Sequence, residues 1–227
     1  MGVEEKVNVC MTTRVKICCM GSVEESRVAI RCGASAVGVV SAMPSGPGPI
    51  DDRLIAEIVR SIPPGVATFL LTSKQRAAEI LDQLRRSGAG TIQIVDRVGT
   101  QCYASLRSSM PNVKIVQVIH VRGVSAIDEA RAAAEHVDAL LLDSGNQSLP
   151  IKELGGTGRV HDWTISKAIV AAVDVPVYLA GGLKASNVAE AILTVKPFGV
   201  DVCSGVRSNG KLDEMKVKDF FEQVRGV

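Results

Sequence analysis

The chain is expected to fold as one (β/α)8 barrel of the α/β class, and three observations lead there. Eight short Val/Ile/Leu-rich runs alternate with longer stretches of helical period. The runs are apolar throughout instead of alternating, as parallel strands are when helices cover both sides of a sheet. Finally, eight such units in 227 residues suit a closed barrel better than an open doubly wound sheet, and no G-x-G-x-x-G follows the first run.

The strands are read in order at 14–19, 35–41, 66–72, 91–95, 113–119, 138–143, 176–181 and 199–204. Amphipathic stretches such as "DDRLIAEIVRSI" and "KQRAAEILDQLRRS" supply the helices. Two connections exceed what a barrel needs: "AMPSGPGPID" after the second strand and "SGNQSLPIKELGGTGRVHD" after the sixth. Both fall on the C-terminal face, where barrel enzymes build their sites. Residues 1–13 read as a flexible N-terminal extension and 14–227 as the barrel domain.

Lys and Arg number 26 against 24 Asp and Glu, with no basic block and no interleaved aromatics, which argues against nucleic acid or an anionic membrane as partner. A small soluble ligand is the expectation. Apolar runs such as "DALLLD" and "VATFLL" fall far short of the about 20 residues that span a bilayer. Glu4, Glu5 and Lys6 do not fit a signal peptide, so the expected compartment is the cytoplasm. Six cysteines are scattered without a Cys-x-x-Cys pair or a His at ligand spacing, so reduced thiols are expected, with neither a metal site nor a disulfide framework.

Glycines mark three successive strand ends: "GGTG" at 155–158, "LAGGL" at 179–183 and "CSGVR" at 203–207. Glycine lets backbone N–H groups approach a phosphate, and a helix N-terminus adds a favourable dipole. Gly155, Gly156, Gly158, Gly181, Gly182, Ser204 and Gly205 are therefore the candidate phosphate site, with Ser186 and Asn187 as helix caps behind it.

With "VKIC", "LLLD", "GGTG" with Asp162 and Trp163, "LAGGL" with "NVAEAI", and "FGVDVCSGV" in this order, the chain from Arg14 onward resembles the phosphoribosylanthranilate isomerases of tryptophan biosynthesis. The resemblance implies a barrel without cofactor that performs an Amadori rearrangement of a phosphorylated aminoaldose to an aminoketose. It implies Cys18 as the base and Asp143 as the acid, and it places Cys19 where the family has Gly. The chemistry needs both groups: an acid to protonate the furanose oxygen and a base to remove the C2 proton. Strand parity also favours Cys18, since Lys16 and Cys18 share one face while Val15, Ile17 and Cys19 share the other. The apolar set should face the helices, with Cys18 pointing into the barrel and Cys19 packed outward. Lys16, inside the barrel, is expected to pair with Asp201.

The pattern departs from the family at several points. Strand 4 ends "QIVDR", with Val95 and Asp96 where the family has His-Gly. Arg207 replaces an acid after strand 8, Gly21 stands for Thr or Ser, and the loop after strand 2 lacks the family's carboxylate-binding Arg. Arg122, with His120 at the same parity on strand 5, is the expected replacement, assisted by backbone N–H groups of residues 45–48. Three readings stay open: the isomerase itself, an isomerase of another phosphorylated aminosugar, and a non-catalytic sugar-phosphate-binding barrel. Retention of both Cys18 and Asp143 speaks against the third.

Overall fold

A computed structural model describes residues 13–145, 154 and 158–227. Its strands are β1 (Arg14–Ile17), β2 (Ala36–Val40), β3 (Ala67–Thr72), β4 (Thr91–Ile94), β5 (Lys114–His120), β6 (Ala139–Asp143), β7 (Val177–Leu179) and β8 (Gly199–Val202). They pair in chain order and close, with β1 parallel to both β2 and β8. Helices α1 (Val23–Cys32), α2 (Asp52–Ser61), α3 (Ala77–Ser87), α4 (Thr100–Ser109), α5 (Ser125–Ala134), α6 (Trp163–Ala172), α7 (Ala185–Val195) and α8 (Glu214–Arg225) follow their strands around the outside. This is the expected (β/α)8 barrel.

The strand pleat sorts the apolar residues into two shells. Val15, Ile17, Val37, Val39, Ile92, Ile94, Leu140 and Leu142 face outward and pack against helix residues such as Ile55, Ile58, Ile80, Leu84 and Phe220. Ala36, Phe69, Leu71, Val116, Val118, Leu141 and Tyr178 fill the barrel itself. Helix starts are written in short polar residues: Ser22 accepts from the Glu25 N–H, Asp51 from those of Arg53 and Leu54, and Asp213 from those of Met215 and Lys216.

Lys16 and Asp201 lie in register across β1 and β8, and their charges meet at 2.9 Å with the lysine fully buried. The Lys16 ammonium also stands 5.2 Å from the centre of the Phe69 ring. Burial alone would push this lysine down, but Asp201 and the neighbouring thiols outweigh it and hold the group charged, above the ordinary lysine range.

Two expectations fail locally. Strand β1 stops at Ile17, so parity does not extend to Cys19. Cys19 takes a left-handed backbone, φ 63°, and its side chain turns into the inner shell beside Cys18 instead of packing outward. Between β8 and α8 the chain also adds a 3-10 turn (Ser204–Val206) and a small hairpin, β9 (Arg207–Ser208) with β10 (Lys211–Leu212). Asn209 and Gly210 at its tip both have positive φ, the pairing a tight hairpin demands. Among the described residues no helix is long and apolar enough to cross a membrane.

Candidate active site

The C-terminal mouth of the barrel holds a cavity of about 660 Å³, its opening included. Cys18, Asp143, Gly158, Gly181, Gly182 and Ser204 all line it, so residues expected to serve base, acid and phosphate meet in one place. Gly205 lies one residue behind this wall, and Gly155 and Gly156 fall outside the described residues.

Cys18 is held by a backbone bond, its N–H donating to the Val202 carbonyl at 2.8 Å, and its thiol lies against Gly38 of the adjacent strand β2. A Cβ on Gly38 would come within 2.9 Å of the Cys18 sulfur and 3.2 Å of Lys16 Nζ. Glycine at that position is what gives the expected base its room. On the opposite wall Asp143 ends β6, and its Oδ1 accepts from the Ser144 N–H at 2.6 Å.

The segments after β6, β7 and β8 are pressed together by glycine. A Cβ on Gly182, where φ is 66°, would meet the Arg159 and Val160 backbone at 2.7–2.9 Å, and one on Gly205 would collide with the Leu183 carbonyl. Asn187 fixes the same turn from α7: its Oδ1 accepts from the Lys184 N–H at 2.9 Å and its Nδ2 donates to the Gly182 carbonyl at 3.1 Å. Asn187 is thus the cap, while Ser186 lies within the first turn of the helix. Gly181, Gly182 and Leu183, just ahead of α7, and Ser204 after β8 bring this main chain to the cavity wall.

Arg207 locks the β1 end. It donates to the Cys19 carbonyl, to the Gly210 carbonyl at 3.0 Å, and to both oxygens of Glu25 at 3.0 and 3.2 Å. Glu25 in turn accepts from the N–H groups of Gly21 and Leu212, each at 2.9 Å. Burial works against the Glu25 carboxylate, but Arg207 and these two N–H groups outweigh it and hold its pKa below the usual value. The basic residue found in place of an acid therefore has its own carboxylate, supplied by α1.

Arg122 and His120 sit apart from this cluster. Neither is among the described residues lining the cavity; Arg122 is exposed, and His120 is buried with Nε2 2.9 Å from the Val95 carbonyl. Conversely, the cavity brings in residues that sequence reasoning did not select. Gln93 lines it with a buried Oε1 that has no hydrogen-bond partner among the described residues. Its parity with Val95, the residue just beyond β4, was the available signal. His161 bonds Ser166 Oγ through Nε2 at 2.7 Å; burial lowers its pKa and the charge of Asp143 opposes that.

Residues 15–223 match the family model for N-(5'-phosphoribosyl)anthranilate (PRA) isomerase. The chain belongs to the phosphoribosylanthranilate isomerase family. It is 40% identical over 214 residues to N-(5'-phosphoribosyl)anthranilate isomerase 2 of Methanosarcina mazei, covering 93% of this chain and 94% of that one. The isomerase of Haloferax volcanii is 38% identical over 201 residues, with 87% and 86% covered. Among solved structures, the phosphoribosylanthranilate isomerase of Thermococcus kodakaraensis superposes with a TM-score of 0.79 at 28% identity, covering 95% of this chain and all of that one. A phosphoribosylanthranilate isomerase bound to reduced 1-(o-carboxyphenylamino)-1-deoxyribulose 5-phosphate superposes with a TM-score of 0.76 at 25% identity, with 95% and 100% covered.

Proposed function

We propose that the chain is an isomerase of tryptophan biosynthesis that converts N-(5'-phosphoribosyl)anthranilate to 1-(2-carboxyphenylamino)-1-deoxyribulose 5-phosphate, working in the cytoplasm without a cofactor. One observation carries the reading: Cys18 and Asp143 line one cavity whose wall after β7 and β8 is built on close-packed glycines, which suits a phosphate. The phosphate is assigned to the backbone at Gly158, Gly181, Gly182, Ser204 and Gly205, with Gly155 and Gly156 adjoining in sequence. Such an anchor orients the sugar between acid and base.

Asp143 gives its proton to the furanose oxygen, the C1–O bond breaks, and the nitrogen lone pair completes a protonated Schiff base. Cys18, as thiolate, then removes the C2 proton, and the electrons left at C2 neutralise the iminium to an enolamine. Tautomerisation to the ketone completes the Amadori rearrangement. Each group moves one proton, so neither redox chemistry nor a Lewis acid enters.

Growth rescue of a tryptophan-requiring host that lacks this step is the expected outcome, together with loss of turnover in Cys18→Ala and Asp143→Asn while a phosphorylated product analogue still binds. Wild-type turnover in either variant would refute the assignment. A second reading, an isomerase of another phosphorylated aminosugar, draws on the exposed position of Arg122 away from the cavity lining. It predicts failure of the growth rescue with the phosphate site intact.

A further inference from the structure

Three thiols converge at the mouth, and the proposed chemistry uses only one of them. Cys18, Cys19 and Cys203 all line the cavity. The sulfur of Cys18 packs against Gly38 on the adjacent strand β2. That of Cys19 lies 3.5 Å from the Pro47 carbonyl and within hydrogen-bonding reach of the thiols of both Cys18 and Cys203. Cys203 directly follows β8 and is partly exposed, so a solute in the cavity reaches it.

We propose that Cys19 and Cys203 form a modification site, a thiol pair that peroxides oxidise to a reversible disulfide which shuts down the isomerase. The chemical roles follow from the surroundings. The hydrogen bond from Cys19 pulls the Cys203 thiol down, burial opposes this, and the nearby Arg207 charge adds to the lowering, with Asp201 the facing group that works against it. Its hydrogen bonds to Cys18 and Cys203, together with burial, hold the Cys19 thiol up. Cys203, partly exposed to the cavity where Cys19 is buried, is the nucleophile and Cys19 the resolving thiol.

The Cys203 thiolate attacks one oxygen of hydrogen peroxide, the O–O bond breaks, and hydroxide leaves to take up the Cys203 proton as water, giving a sulfenic acid. The Cys19 sulfur then attacks Cys203, the S–O bond breaks, and the departing hydroxide carries off the Cys19 proton as a second water. Two thiols are oxidised and one peroxide is reduced to two waters. Inactivation follows from position: Cys19 is covalently next to the assigned base, and Cys203 is next to Ser204 and Gly205 of the phosphate cradle. A bond between them must pull both walls of the site.

The test uses the full-length protein, reduced, freed of reductant and treated with hydrogen peroxide. The expected result is a mass lower by two hydrogens, a Cys19–Cys203 cross-link in peptide mapping, and loss of turnover that dithiothreitol restores. Cys19→Gly, which suits the left-handed backbone, and Cys203→Ser each keep turnover before oxidation and form no cross-link. Peroxide treatment that leaves Cys19 and Cys203 unlinked, links either of them to Cys18, or links them without loss of turnover overturns the proposal. The activity arm rests on the proposed isomerase reading; the mass and mapping arms do not, so a protein inactive before treatment would fault that reading while leaving the cross-link to be scored.

Discussion

A methyl group placed on Gly182 or Gly205 would collide with backbone of the neighbouring loop, whereas one on Gly99, after β4, would meet nothing within 4 Å. The two sides of the mouth are specified by different means. On the β7–β8 side the cavity wall is built on glycines that let neighbouring loops touch, and the phosphate proposed there would be held by main-chain N–H groups. On the β4–β5 side the cavity wall is made by side chains such as those of Gln93 and Val95, and the backbone at Gly99 has open space around it. A backbone-built site constrains residue type tightly, because any Cβ is an obstruction; a side-chain-built one lets a residue elsewhere take over the task. The departure at Val95 and Asp96, after β4, falls on the tolerant side, whereas the loop after β2 is itself held by glycine: a Cβ on Gly48 would meet that of Cys19 at 2.6 Å.

The sharpest way to break the comparison is to put a side chain on each. Gly182→Val is expected to cost about 3 kcal/mol or more, since it adds overpacking against the Arg159 and Val160 backbone to a left-handed φ of 66°. Affinity for a phosphorylated product analogue should fall with it. Gly99→Ala, at φ −76° and in open space, should change stability by under about 1 kcal/mol and leave that affinity alone. Denaturant unfolding and calorimetric titration of both variants read the contrast. Equal effects would erase it.

Next in size is the Arg207–Glu25 clamp. Glu25→Gln should cost about 1–2 kcal/mol at neutral pH, the worth of hydrogen bonds to a charged group after screening of a partly exposed pair. The folded-state pKa of Glu25 lies below its unfolded value, so its contribution is complete above about pH 4.3 and is lost as pH falls through the folded value. The gap between wild type and Glu25→Gln in urea midpoints should therefore close on acidification. A gap that widens would mean that the carboxylate is not what the clamp recognises.

Arg122 tests the tolerant side. If it holds the substrate carboxylate from its exposed position, screening limits the contact to about 1 kcal/mol, or roughly a fivefold rise in KM for Arg122→Ala with kcat unchanged. A larger rise would show that the side chain swings into the cavity when substrate binds. An unchanged KM would move the carboxylate to the loop after β2, where Ser45 and Gly46 line the cavity.

What the sequence made legible follows the same division. All eight strands lie within two residues of their expected starts, because a run of apolar residues buried on both faces needs no context to be recognised. The Lys16–Asp201 pair was also readable, since strand parity and the closure of β8 on β1 bring the two together. The Arg207–Glu25 pair was not: 182 residues separate its members, and the hairpin that positions Arg207 was not among the expected elements. Its Asn209–Gly210 turn was a signal that went unread.

Cys19 is the instructive miss. Alternation would send it outward, and it fails because the strand ends two residues sooner and the chain turns through a left-handed conformation, the one that glycine adopts at no steric cost. The resemblance had placed this residue where the family has Gly, so the position itself carried the warning. From this comes the smallest prediction. Cys19→Gly relieves a strained φ of 63°, worth roughly 1 kcal/mol, and gives back part of that through the greater freedom of the unfolded chain and the lost contact of the thiol with the Pro47 carbonyl. The net change should be stabilising and under about 1 kcal/mol, read as a small rise in denaturation midpoint with unchanged slope. A destabilised variant would show that the thiol's packing in the inner shell outweighs the backbone strain, and that Cys19 is kept for the core rather than tolerated at a glycine position.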